Sequence, residues 1–219
     1  MAPDNPGQAA VEFFFDASCP WSYLALERTR DAALRTGARI IYRPVLVDDV
    51  LQLATPGYPA DRSDPVPARA RHQAKDLADW ARYCGLVLRR PTPWPIRAAW
   101  AQRGAVVATE TGKAGAYLAA VFAALFADNR DIRERAVVEA VAGEAGLDAE
   151  SFAARIGDPA TELQVNRNGA ELFARGGFGT PTLLVGTDLY FGNDRLPLVE
   201  AALARQGGMR LTLPGAHGA

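Results

Sequence analysis

The chain has 219 residues, enough for one domain or for one domain carrying a large insertion. Its 24 Lys and Arg nearly balance 25 Asp and Glu, for a net charge of −1, so no overall positive field draws in nucleic acid or an anionic membrane surface, and a small-molecule partner is expected. Two distant cysteines, Cys19 and Cys84, exclude a disulfide framework, two histidines, His72 and His217, make no zinc cluster, and no apolar run approaches the roughly 18 residues of a membrane span.

From Met1 to Ala10 the sequence is polar and lacks the basic start and apolar h-region of a secretory signal, so a cytoplasmic location is expected. Val11-Glu12-Phe13-Phe14-Phe15 is short, apolar and aromatic and predicts a buried strand, with Asp16-Ala17-Ser18 as a turn. A helix then starts at Cys19, with Pro20 in its first turn and Gly37 as its stop. The β-branched run Arg39 to Val47 predicts a second strand, parallel to the first because one helix joins them. Thr55 to Pro67 is proline-, glycine- and polar-rich and long enough for an active-site lid. Helical spacing recurs near 68–84, 96–110, 113–127, 131–145 and 149–157, with Pro91, Pro93 and Pro95 as a rigid connector. Thr182-Leu183-Leu184-Val185 and Leu189-Tyr190-Phe191 predict a hairpin, followed by a closing helix capped near Asn193 or Asp194. This order is α/β: a thioredoxin-like fold with an all-helical domain inserted in the middle. Residues 1–54 plus 176–219 would form the thioredoxin-like domain, and 55–175 the inserted loop and helical subdomain.

The chemistry concentrates at Cys19. A cysteine at a helix N-terminus sits where backbone N–H groups and the helix dipole favour an anion, which predicts a thiolate and a lowered pKa. A dithiol oxidoreductase carries Cys-x-x-Cys, but the fourth position here is Ser22, so thiol exchange would need an external thiol. Cys84, in a helical segment beside Tyr83, reads as core filler rather than as a resolving partner.

Phe15-Asp16 followed by Ser18-Cys19-Pro20-Trp21-Ser22-Tyr23-Leu24-Ala25, the stretch Asp76-Leu77 with Trp80, and the later Phe178-Gly179-Thr180-Pro181-Thr182 and Phe191-Gly192-Asn193-Asp194-Arg195-Leu196 resemble the 2-hydroxychromene-2-carboxylate isomerase family. That family belongs to the kappa-class glutathione transferase and DsbA-like group, and the resemblance covers nearly the whole chain. It implies a cis-trans isomerase that works by reversible addition of a thiol, with glutathione or another low-molecular-weight thiol as cofactor and a small aromatic enone as substrate. It also implies a cis peptide at Pro181, which lets the backbone of Thr180 pair with the cysteinyl part of the cofactor. Asn193 and Asp194 take the γ-glutamyl end, and Arg69 replaces a contacting lysine.

The main departure is Cys19, which stands where the family usually has a serine that steadies the cofactor thiolate; Ser18 and Ser22 offer hydroxyls beside it. The family's loop asparagine has no counterpart near Asp61-Arg62-Ser63. Trp21, Tyr58, Trp94 and Trp100 are candidates for an aromatic pocket, although such residues more often pack a core, and Arg97 and Arg103 are candidate carboxylate binders. Relatives of this kind are often dimeric, which makes a homodimer one candidate assembly. Two rival readings stand beside the isomerase: a monothiol oxidoreductase or kappa-type glutathione transferase using Cys19, and a redox-responsive protein that docks a peptide by strand addition.

Overall fold

The computed structural model of the chain describes residues 8–62, 64 and 66–209. Strand β1 (Ala10–Phe15) leads into helix α1 (Pro20–Thr36), then β2 (Arg39–Pro44) and α2 (Val47–Ala54). Six helices follow: α3 (Pro67–Tyr83), α4 (Ala99–Glu110), α5 (Ala114–Phe126), α6 (Arg135–Glu144), α7 (Ala149–Gly157) and α8 (Pro159–Ala174). The chain returns through β3 (Thr182–Val185), β4 (Asp188–Phe191), a 3-10 turn at Asn193–Arg195 and α9 (Leu196–Gln206). The strands form one sheet in the order β2-β1-β3-β4, with β1 and β2 parallel and the other two pairings antiparallel. The α/β, thioredoxin-like architecture expected from the sequence is the one observed.

The sheet is arranged around β1 because β1 is apolar on both faces. Val11, Phe13 and Phe15 enter the main core, which also holds Leu183 of β3, while Phe14 points to the other face and packs with Val45, Val50, Leu172 and Leu184. A central strand buried on both sides reads as a continuous apolar run rather than an alternating one. Glu12 is the polar exception on the Phe14 face. Burial works to raise its pKa, but Arg175 and Arg43, each 2.7 Å from its carboxylate oxygens, hold it below the usual carboxylate range. That pair ties β1 to β2 and to the end of α8.

Helix α1 starts at Pro20, whose missing N–H has no partner to lose there, and ends in a Schellman turn: Gly37 at φ 64 donates to Leu34 O, and Ala38 N–H donates to Ala33 O. Its inner face carries Tyr23, stacked on Phe122 and Phe126 of α5 at 5.4 and 5.5 Å.

Three elements depart from those expected. The second strand stops at Pro44 instead of running to Val47, because proline cannot donate to the ladder, and residues 47–54 wind into α2, burying Val47 and Val50. Helix α8 was not expected at all. Its run Gln164-Val165-Asn166-Arg167-Asn168-Gly169 is polar, but Asn168 turns inward and donates to Pro44 O at 2.9 Å. The closing helix also lacks the expected Asn193 or Asp194 cap: both residues sit in the 3-10 turn, and Arg195 holds the N-cap position without a side-chain bond.

One side chain of the helical insert is built into the sheet. Gln102 of α4, wholly buried, donates to Phe15 O at 2.7 Å and Val45 O at 2.6 Å and accepts from Ala17 N–H at 3.1 Å. It joins the ends of the two parallel strands to the turn before Cys19. Gln102→Leu strands the Ala17 N–H and Val45 O and leaves Phe15 O only its bond from Val45 N–H, and a loss of about 2–4 kcal/mol in urea unfolding is expected. A similar test applies to Gly104 of α4, where an added Cβ would lie 2.1 Å from Tyr117 Oη. Gly104→Ala should destabilise by about 1–3 kcal/mol, overriding a helix-propensity gain of up to about 1 kcal/mol.

Candidate functional site

The site forms where β1 ends. Asp16 is buried, and its two oxygens fix the backbone on either side: Oδ1 accepts from Ser18 N–H at 2.6 Å and Oδ2 from Val47 N–H at 2.7 Å. Cys19 N–H donates to Asp16 O at 2.9 Å, and Cys19 O accepts from Ser22 and Tyr23 N–H, so Cys19 is held as the N-cap of α1. No side chain caps that end. Burial raises the pKa of Asp16, opposed by the nearby Arg62 guanidinium and by the bonds from Val47 and Ser18.

Cys19 is 7% exposed, and its thiol lies 3.3 Å from Thr180 O, to which it donates. Thr180–Pro181 is a cis peptide. The loop around it is fixed by Thr182 Oγ1 donating to Gly179 O at 2.8 Å and by Gly192 N–H donating to Pro181 O at 3.0 Å. The expectation of a lowered thiol pKa is reversed. Burial pushes Cys19 up and the Asp16 charge adds to the rise, outweighing the opposing hydrogen bonds of Thr180 and Ser22. Two hydroxyls beside it, Ser22 Oγ and Thr180 Oγ1, are buried and make no hydrogen bond of ordinary geometry.

A cleft of about 1000 Å³ opens over this centre. Cys19, Thr180, Pro181, Asn193 and Asp194 all line it, as the sequence motifs at the two ends suggested. Asn193 is buried, and Arg28 grips its backbone and side-chain oxygens at 2.7 Å each while stacking on Trp80 at 4.7 Å. Asp194 is half-exposed, 3.5 Å from Arg195. Ser22 lies buried on α1, one turn on from Cys19 and outside the lining. Arg69 is not brought to the cleft. It is 59% exposed and pairs with Asp64, while its neighbour Ala70 forms the wall.

Of the four aromatic candidates, Trp21, Tyr58 and Trp94 line the cleft, whereas Trp100 packs against the main core between Arg103 and Arg135. The two arginines named as carboxylate binders lie elsewhere: Arg97 is bidentate with Asp49, and Arg103 is bonded to Thr161 and Asp158. Cys84 is a free, half-buried thiol at the C-cap of α3.

Sequence reasoning passed over Arg62, whose side chain is 10% exposed although it sits in the long loop. Its guanidinium donates to Asp48 at 2.8 Å and to Ser18 Oγ and Ile96 O at 3.1 Å each, clamping the loop over the turn that carries Cys19. Arg62 adopts φ 53, a left-handed conformation unusual for a residue with a side chain, in a segment that looked merely polar. No local pattern signals its distant partners.

A model of the DSBA-like thioredoxin domain matches residues 10–204. The sequence is similar to a 2-hydroxychromene-2-carboxylate isomerase of Sphingobium xenophagum, 28% identical over 193 residues and covering 88% of this chain and 97% of the relative. It is also similar to one of Pseudomonas putida, 26% identical over 196 residues with 89% and 94% covered. Among solved structures, a 2-hydroxychromene-2-carboxylate isomerase superposes with a TM-score of 0.78 at 26% identity, covering 90% of this chain and 95% of that one. A probable DsbA oxidoreductase of Streptomyces coelicolor gives 0.74 at 25% identity, with 94% and 93% covered. The resemblance carried by the two end motifs thus extends over nearly the whole length, and with the domain match running from β1 into α9 the chain belongs to the DSBA-like thioredoxin domain family.

Proposed function

We propose that the chain is a thiol-dependent isomerase of 2-hydroxychromene-2-carboxylate or a similar aromatic enone, with glutathione or another low-molecular-weight thiol as cofactor. The observation that carries this reading is the state of Cys19: buried, hydrogen-bonded to Thr180 O at 3.3 Å and raised in pKa, it keeps its proton near neutral pH. A protonated thiol is a poor nucleophile but still a donor. It therefore suits the task a serine hydroxyl performs in the resembled family, steadying the charge of a second sulfur.

The surroundings fit a bound thiol. Ser22 Oγ and Thr180 Oγ1 are buried beside the Cys19 sulfur and make no hydrogen bond of ordinary geometry among the described residues, and buried polar groups of that kind are normally satisfied. When bound, the cofactor supplies the sulfur that adds to the enone and leaves after the former double bond has rotated. The chain's own residues do the rest. Cys19 turns its one S–H from Thr180 O to the sulfur position when the thiol binds, Thr180 presents backbone beside it, and Asp194 offers a carboxylate to an ammonium. Trp21 and Tyr58 give the cleft apolar walls that exclude water, which strengthens those contacts. Similar proteins named as isomerases, at 28% and 26% identity, support this class of reaction.

The decisive assay follows isomerisation of trans-o-hydroxybenzylidenepyruvate by ultraviolet absorbance, with and without glutathione. Thiol-dependent turnover is expected in the wild type and, within about tenfold, in Cys19→Ser, which keeps a donor at the same place. Cys19→Ala removes the donor and should lose about 10- to 100-fold in kcat/KM. No turnover with any thiol, together with disulfide reduction abolished in Cys19→Ser, overturns the isomerase and leaves the monothiol oxidoreductase.

The protonation state has its own check. Alkylation of Cys19 by iodoacetamide, read by peptide mass spectrometry, should rise with pH to a midpoint above the free-thiol value of about 8.5. A midpoint below 7 would mean a thiolate in the resting protein and would favour direct thiol exchange.

A further inference from the structure

The cleft holds arginines on the wall opposite in sequence to the sulfur-binding motifs, and their engagements differ. Arg62 is fully occupied by Asp48, Ser18 and Ile96. Arg89 donates from Nη1 to Ala127 O, and Arg195 sits 3.5 Å from Asp194. Arg90 alone among these four has no hydrogen-bond acceptor or carboxylate partner among the described residues. It is exposed within the cleft lining, with its guanidinium 5.7 Å from the centroid of Trp94.

The segment that presents Arg90 is anchored on both sides. Arg89 N–H donates to Phe126 O at 2.8 Å, and Thr92 N–H donates to Asn129 Oδ1 at 2.9 Å, so the backbone is pinned to the end of α5. Pro91, Pro93 and Pro95 stiffen it further. The Trp94 ring is in turn held by Arg62 at 5.6 Å. An arginine whose backbone is fixed, whose plane rests near an indole and whose five donors are unused is prepared for a planar anion beside an aromatic ring.

We propose that Arg90, set against Trp94, anchors the carboxylate of the aromatic enone acid and thereby orients its double bond toward the sulfur held over Cys19. This rests on reading the cleft as the site of an aromatic acid isomerase, and it replaces Arg97 and Arg103 as the carboxylate-binding residues. It also divides the cleft: the loops at 178–181 and 191–195 take the thiol, and the connector at 89–94 takes the electrophile. A cleft of about 1000 Å³ has room for both.

The test uses trans-2-hydroxycinnamate and its methyl ester as probes, titrated calorimetrically into the wild type, Arg90→Gln and Arg90→Lys, with circular dichroism to verify that each variant is folded. The acid should bind the wild type and weaken by about 10- to 100-fold in Arg90→Gln. Arg90→Lys should fall between the two, since a point charge replaces a bidentate fork. The ester should bind all three weakly and alike. Equal binding of acid and ester to the wild type, no binding of the acid, or unchanged binding in Arg90→Gln overturns the anchor. The underlying reading fails separately. If the acid depends on Arg90 but no thiol supports isomerisation, the anchor stands without the isomerase; if isomerisation proceeds and Arg90→Gln leaves KM unchanged, the isomerase stands without the anchor.

Discussion

The arrangement around Cys19 depends on one buried carboxylate. Asp16 accepts from Ser18 N–H with one oxygen and Val47 N–H with the other, and Arg62 stands close enough to lower its pKa against the effect of burial. Three segments distant in sequence are thereby brought to one point: the turn that delivers Cys19, the start of α2 and the long loop that closes the cleft. A carboxylate is suited to this because its two oxygens accept in several directions at once, here one from each segment. The same group bears on the chemistry. Its charge lies near the thiol and adds to burial in keeping Cys19 protonated. Burial leads in keeping the proton on Cys19, and Asp16 adds the smaller share while fixing the geometry.

Gln102 complements Asp16 from the other side. Its amide reaches from α4 to the ends of β1 and β2 and to Ala17, and no backbone group at that junction could supply both a donor and an acceptor in the same place. The helical insert is thus part of the mechanical support of the site and not merely a cover. Tyr23 makes the same point from α1, stacking on Phe122 and Phe126 of α5 so that the helix bearing Cys19 leans on the insert.

Elements whose pattern is local were legible in the sequence. The apolar run of β1, Pro20 and Gly37 bounding α1, and the hairpin of β3 and β4 all follow from spacing and turn residues. The errors came where tertiary partners decide. Val45 and Val47 look like continuing strand, yet Pro44 ends the ladder and Val47 N–H turns to Asp16. Helix α8 is polar in sequence because Asn168 is buried for its amide, not for apolar surface. In the site, Cys19, Thr180, Pro181, Asn193 and Asp194 were readable because each belongs to a short motif. Arg62 and Arg90 were not, because an arginine's role is set by which acceptors the fold leaves within its reach, and neither loop carries a pattern that encodes them.

The helix N-terminus is usually taken as enough to ionise a cysteine, and its failure here is instructive. The dipole and free N–H groups contribute a modest, short-range stabilisation that water screens, while removing a thiolate from water costs more as burial becomes complete. In this chain the second effect wins, with a smaller addition from the charge of Asp16. A cysteine in such a place behaves more like a serine than like the attacking thiol of an oxidoreductase. On the proposed thiol-dependent reading, the substitution of one for the other conserves the role of the position, which is to donate to a second sulfur, with the buried hydroxyls of Ser22 and Thr180 beside it. The cation proposed to hold the substrate acid, Arg90, accordingly belongs to the connector beside Trp94 and not to the turn that carries Cys19.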